Sequence, residues 1–255
     1  MPLNMKKILL AAAAMLCLST ACDRNKTIET VDFEYIEPEC DSCARTSLQY
    51  PVTAGKNRTE RKINAALEKW VISTIELTSE SLPSTVEEAV SNFSKGYQEV
   101  ANDFPDDYHA TWETSVQGEM CYQDEKLLAF CMETYSYTGG AHGYGSSHYL
   151  LFDKKKGALI TREELIKDVD GFTALAEQKF REHYASDVNT PLNEQGFMFE
   201  NDQFHLPDNI GFTNNGLKLI YNPYEIAPYS SGQITLEIPY AEVNAFLGYQ
   251  VGSRS

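Results

Sequence analysis

The sequence predicts an α+β fold of antiparallel sheets and helices in two closely packed subdomains. Three observations lead there. Two runs in the first half carry apolar residues at helical spacing, and several later runs alternate with period two. Strands and helices follow one another in mixed order rather than as a strict βα repeat. A strand-then-helix texture recurs in both halves, and 255 residues suffice for either one domain or two. No internal repeat is present, which excludes a solenoid or a propeller.

The first segment is an address rather than a fold element. Met5-Lys6-Lys7 gives a positive start, and Ile8 to Leu18 is an apolar run too short to span a bilayer. Ser19-Thr20-Ala21 and then Cys22 complete a lipoprotein signal peptide over residues 1–21. The small side chains suit a narrow peptidase pocket, and the Cys22 thiol takes the lipid. A larger apolar residue is usual where Ser19 stands, and the alternative is an ordinary signal peptide cut nearby. Nothing else in the chain approaches the about 18 uninterrupted apolar residues that a span requires. The expected location is therefore the bacterial cell envelope, as a periplasmic or surface lipoprotein.

Residues 22–44 are polar, acidic and without evident period, and read as a tether. Then "SLQYPVTAG" alternates Leu48, Tyr50 and Val52 as a strand. Asn57 with Glu60 forms a capping pair ahead of Ile63, Ala66, Leu67, Trp70 and Val71 at helical spacing. Ser84 with Glu87 is expected to open a second helix, with Val86, Ala89, Val90, Phe93, Tyr97 and Val100 on one face. Strands are expected over 108–122 and 126–138, and again through "HYLLFD" to Asp153, with a turn at Lys154 to Gly157. Thr161 and Glu164 cap a short helix, and Phe172, Leu175, Ala176 and Phe180 mark a longer one. "TNNGLKLIY" reads as turn then strand, "QITLEIPY" as a strand, and a short helix closes the chain near Phe246. The domain boundaries read as 45–140 and 141–250.

Charge and cysteines bound the partners. Removing Lys6 and Lys7 with the signal leaves 19 basic against 37 acidic residues, a net charge of −18. Such a chain does not seek nucleic acid or anionic lipid, so membrane contact is expected through the lipid anchor only. A basic protein is electrostatically compatible. Cys40, Cys43, Cys121 and Cys131 form an even set in an oxidising compartment, which suggests two disulfides. The preferred pairing joins 40 with 43 and 121 with 131. The alternative cross-links the lead-in to the hairpin.

No complete catalytic constellation is present. There is no H-E-x-x-H, "GYGSSH" fails the G-x-S-x-G spacing, and Gly143-Tyr144-Gly145 lacks the third glycine of a dinucleotide loop. Histidines 109, 142, 148, 183 and 205 are scattered. His142 and His148 could meet across a loop, but no further ligand stands near them, so no metal and no cofactor is expected. The densest stretch is "YSYTGGAHGYGSSHY", residues 135–149. Gly139, Gly140 and Gly143 permit positive φ, and the tyrosines offer flat contact area. It reads either as a tight turn or as a binding loop.

"YSYTGGAHG" resembles the end of a domain of unknown function in the peptidoglycan deacetylase PdaC. "NGLKLIYNPYEIAPYSSGQITLEIPY", residues 215–240, is similar to the end of the domain that follows it in the anti-sigma factor RsiV. Order and spacing match over about residues 45–248. The resemblance implies an extracytoplasmic α+β module, and RsiV's version binds lysozyme. RsiV also has a cytoplasmic segment and a membrane span, and PdaC a separate metal-dependent deacetylase domain; neither is expected here. The family supplies no catalytic residues to carry over.

The expectation is a lipid-anchored envelope binding protein without catalytic activity. Its ligand is lysozyme or another basic protein, or cell-wall glycan. The rival is an enzyme acting on envelope polymers. The glycine stretch and the tail loop "YNPYEIAPY" are expected side by side, forming a groove of Tyr137, Gly139, Gly140, His142, Tyr144, Tyr224 and Tyr229, with Glu225 as its polar anchor.

Overall fold

A computed structural model describes residues 27–36, 43–76, 82–104 and 110–249. The signal peptide, Cys22, Cys40 and His109 lie outside the described residues. None of the described helices is long and apolar enough to cross a membrane.

Six strands form the larger sheet: β1 (Thr30–Ile36), β2 (Arg45–Thr53), β3 (Glu113–Gln123), β4 (Leu127–Tyr137), β5 (Tyr144–Asp153) and the two-residue β6 (Ala158–Leu159), side by side in that order. All neighbours run antiparallel except β2 and β3. That parallel pair needs a long crossover. The crossover is the helix pair α1 (Arg58–Ile75) and α2 (Val86–Asp103). The helix α1 starts where expected, with the Asn57 side chain accepting from the Glu60 amide. The start of α2 lies one residue later than the sequence suggests. Thr85, not Ser84, accepts from the Glu88 amide, while the Glu88 carboxylate reaches back to the Ser84 amide. Val100, on the expected apolar face, is exposed.

The acidic tether expected over 22–44 is corrected in part, because Thr30–Ile36 form β1. Its Phe33 and Tyr35 pack toward the helices and stand opposite Tyr50 and Leu48 of β2. Asp32 and Glu34 alternate with them, so the strand's acidity hides its period-two pattern.

The sheet divides the apolar residues between two cores because side chains alternate along a strand. Leu128, Phe130 and Met132 of β4 join Leu48, Ile63, Leu67 and Phe93 under the helices. Leu127 and Ala129 face the other way, into a second core. The ladder between β3 and β4 shifts register between Met120 and Tyr122. Such a bulge turns the following side chain to the opposite face. Tyr122 thereby enters the second core and stacks on Phe212 at 5.5 Å. Cys121 at this bulge is bonded to Cys131, as the preferred pairing expects. Cys43 is also disulfide-bonded.

The second core is closed by α3 (Arg162–Leu165), α4 (Val169–Tyr184) and a three-stranded antiparallel sheet. Its strands are β7 (Asn209–Phe212), β8 (Gly216–Tyr221) and β9 (Ile234–Pro239), followed by α5 (Tyr240–Val243). Thr161 and Glu164 make the expected capping box on α3. The closing helix, α5, ends before Phe246, which instead packs on Phe172 of α4.

Two asparagines join the small sheet to the large one. Asn209 accepts from the Tyr149 amide at 2.8 Å and donates to the Ser147 carbonyl. Asn222 accepts from the Ser147 amide at 2.9 Å and donates to the same carbonyl at 3.1 Å. Both are buried, at 8% and 5% exposure. They stand along the edge of β5 that faces away from β4, where β6 reaches only Phe152 and Asp153. Between them the backbone passes under Tyr149 at Gly211, where a Cβ would fall 2.0 Å from the ring.

Candidate functional site

The turn from β4 to β5 and the loop from β8 to β9 meet at one end of the molecule. Gly139 and Gly140 hold φ of 104° and 93°, which side chains with a Cβ avoid. The Tyr137 hydroxyl donates to the Gly140 carbonyl at 3.0 Å and fastens the turn. The Tyr135 ring covers Gly143, leaving no room for a Cβ.

His142 stands at the junction. Its Nδ1 lies 3.0 Å from the Gly143 carbonyl, which can only accept, so in the neutral ring Nδ1 carries the proton. Nε2 is then an acceptor, and the Tyr224 hydroxyl lies 3.4 Å from it. The Tyr229 ring stacks on His142 at 4.1 Å between centroids and 15° between planes. Its hydroxyl donates to the Gly143 carbonyl at 3.0 Å. Tyr144 reaches the Pro223 carbonyl at 3.4 Å. Burial, and then the Glu225 charge, pushes the Tyr144 phenol up.

Tyr224 has a φ of 72° and is 54% exposed. A bulky residue in the left-handed region stores strain, about 1–3 kcal/mol, and such strain gathers at functional sites. The loop thus holds a large aromatic ring in solvent in a conformation that glycine would adopt freely.

Beside His142 lies an open depression of about 500 Å³, lined by Arg45, Glu113, Tyr135, Tyr137 and Gly143. Arg45 and Glu113 form an ion pair at 3.1 Å across β2 and β3. Their proximity depends on the crossover and is not visible in the sequence, where 68 positions separate them. The structure therefore brings Tyr137, Gly139, Gly140, His142, Tyr144, Tyr224 and Tyr229 to one end of the fold. Glu225 lies near enough to Tyr144 for its charge to act on that phenol, and it accepts from Asn222 at 3.5 Å. Its carboxylate is pushed up by desolvation, an effect opposed by hydrogen bonds from Asn222, and it feels the charges of Asp208 and His205.

His148 does not meet His142. Its ring packs on Trp70 of α1, on the helical side of the sheet, and burial lowers its pKa. Its Nε2 lies 2.8 Å from Ser146 Oγ, which also bonds Thr134 Oγ1 at 2.7 Å. This serine–histidine contact lies beneath α1, with Ser146 only 8% exposed. Among the described residues no group of three or more His, Cys, Asp or Glu is placed to hold a metal ion.

Two family models match the chain. Residues 38–144 match one described as "Deacetylase PdaC", and residues 160–241 match "Protein of unknown function (DUF3298)". Two crystal structures of DUF3298 family proteins are similar, each with a TM-score of 0.63 over 88% of this chain. The one from Pseudomonas aeruginosa PAO1 is 19% identical over 96% of its own length. The one from Bacteroides fragilis is 16% identical over 94%. No curated protein matches the chain. This pair of domains defines the class, an extracytoplasmic protein associated with the cell envelope. Within that class, the chain carries a PdaC-type domain ahead of a DUF3298 domain.

Proposed function

We propose that this chain is a lipid-anchored binding protein of the cell envelope, without catalytic activity, that holds cell-wall glycan in the aromatic cleft at His142. The observation that carries this reading is the strained, solvent-facing Tyr224 beside the stacked His142 and Tyr229. Flat rings suit sugar faces, and the flanking Arg45, Glu113 and backbone carbonyls offer polar partners for hydroxyls.

Strain separates function from architecture. Tyr224→Gly relieves the positive φ, so the melting temperature is expected to hold or rise, while affinity for soluble peptidoglycan fragments falls at least tenfold. His142→Ala is expected to weaken binding with little change in stability. Calorimetry with muropeptides, beside a melting curve, measures both. Unchanged binding in Tyr224→Gly would remove the cleft, and release of cleaved or modified glycan would replace binding by catalysis.

A second reading has its own support. The face of β1 to β4 away from the helices carries Glu34, Gln49, Gln117 and Glu133 in one row, beside Glu119. These residues are exposed. With the net charge of −18, they suit a basic protein such as lysozyme. Charges in water act over about 8 Å at physiological salt, so this association is expected to weaken steeply as salt rises. Absence of binding heat from lysozyme at both low and high salt would reject it and leave glycan standing.

The anchor is tested separately. Cys22→Ala is expected to abolish incorporation of labelled fatty acid and leave the precursor uncut. Label retained on that variant would sink the assignment.

A further inference from the structure

Cations are scarce in this chain, and they are unevenly placed. Of the 19 basic residues from position 22 onward, eight gather at one end of the large sheet. Four lie at residues 56–62, around the start of α1, one is Lys126 in the β3–β4 turn, and three are Lys154 to Lys156 after β5. The three segments are tied together. The Lys154 amide donates to the Lys126 carbonyl at 2.8 Å, and Lys62 Nζ lies 3.5 Å from the Lys156 carbonyl. Between them is an open depression of about 1180 Å³ rimmed by Arg58, Lys126, Lys154 and Lys155.

Of the four interleaved carboxylates, Glu125 stays exposed on the rim and three turn inward. Asp124 accepts from the amides of Lys126 and Leu127, each at 2.7 Å. Asp153 accepts from the amides of Lys155 and Lys156, each at 2.8 Å. Glu60 is buried against Asn57. Arg58, Lys126 and Lys155 are exposed. Charge alternates in sequence here, but the outer surface is enriched in cations.

The chain also enters the fold at this end. The Ile28 amide donates to Gln123 Oε1 at 2.7 Å, and Gln123 Nε2 donates back to the Ile28 carbonyl at 3.1 Å. Ile28 itself lines the basic depression. Cys22 lies six positions before it, and six steps of chain reach at most about 20 Å. The His142 turn lies at the opposite end of β4, whose 11 residues extend about 35 Å.

We propose that this basic end is a membrane-docking surface, resting on an anionic phospholipid bilayer and standing the domain upright with the His142 cleft turned away from the lipid. The inference rests on lipidation at Cys22. Net charge argues against long-range attraction to such a surface, but the anchor removes the need for any. Within contact distance screening leaves only local charges, at about 8 Å, and each cation there favours contact about fivefold. The acidic row with Glu34 and Glu133 lies outside this basic end and is repelled by the same surface.

The test uses the lipidated full-length chain in vesicles, with a donor dye at Thr138→Cys near the cleft and an acceptor on the lipid headgroups. Flotation with neutral phosphatidylcholine vesicles first establishes the anchor. Energy transfer is then compared in phosphatidylcholine and in an equal mixture with phosphatidylglycerol. Transfer is expected to be lower on the anionic vesicles, because the labelled end is held off the surface. The exposed triple reversal R58E/K126E/K155E is expected to abolish that difference, shifting the upright population about a hundredfold for three cations. High salt on the unaltered patch is expected to do the same without any substitution. Transfer that ignores lipid charge in the floating wild-type chain overturns docking while leaving the anchor intact. A chain that fails to float overturns the anchor, and docking with it.

Discussion

Replacing Asn209 and Asn222 together by alanine is expected to lower stability by roughly 4–6 kcal/mol, since each orphaned buried polar group costs about 1–3 kcal/mol. Three backbone groups lose partners at once: the Ser147 amide, the Ser147 carbonyl and the Tyr149 amide. Water cannot readily replace the asparagines, because both are buried where β7 and the residue after β8 meet β5. Stabilities of domains are about 5–15 kcal/mol, so the double variant stands near the edge of folding. Urea unfolding gives the loss. Hydrogen exchange at Ser147 and Tyr149 locates it, and these amides are expected to lose their protection first. A loss below about 1 kcal/mol would mean that the two sheets are held by apolar packing alone.

The second large effect is expected at Phe180. Its ring is fully buried in the second core, with Tyr184, Phe197, Phe199 and Phe204 at 4.9, 5.0, 5.6 and 5.5 Å. The hub joins α4 to the irregular segment that leads into β7, so its neighbours cannot all collapse inward together. Phe180→Ala is expected to cost about 3–5 kcal/mol. Phe180→Leu keeps most of the volume and is expected to cost less than half as much. Equal losses in the two variants would show that ring geometry, rather than volume, decides this core.

What the sequence made legible follows from how local each signal is. Asn57 with Glu60 and Thr161 with Glu164 act within one turn of backbone, and both caps form. The strands around Leu48 and Leu236 display their alternation openly and fold accordingly. The strand Asn209–Phe212 is buried on every side, so "NIGF" carries no alternation to read. Residues 30–36 do alternate, but with acidic partners that suit a tether as well as an edge strand.

The cleft divides in the same way. Tyrosine-rich loops bounded by strands announce themselves, and their meeting at one end follows from sheet connectivity. The strain at Tyr224, the Arg45–Glu113 pair and the asparagine splice arise only from tertiary contact, and no single segment encodes them. The same limit applies to charge. A sum over the whole chain describes its behaviour in bulk water and conceals where cations gather.

The outermost strand has a further consequence. β1 borders the large sheet, and a border strand is a template for another chain. Under the lipid anchor proposed above, each molecule would meet its own copies by lateral diffusion, in a plane where collisions are frequent and orientations repeat. Bare rims meeting in that plane would knit neighbours into a continuous ribbon. Asp32 and Glu34 line the rim instead, and every copy carries the same sign. Two copies approaching rim to rim therefore recoil, and the acidity that disguises β1 as a tether would keep a crowded leaflet of anchored molecules dispersed.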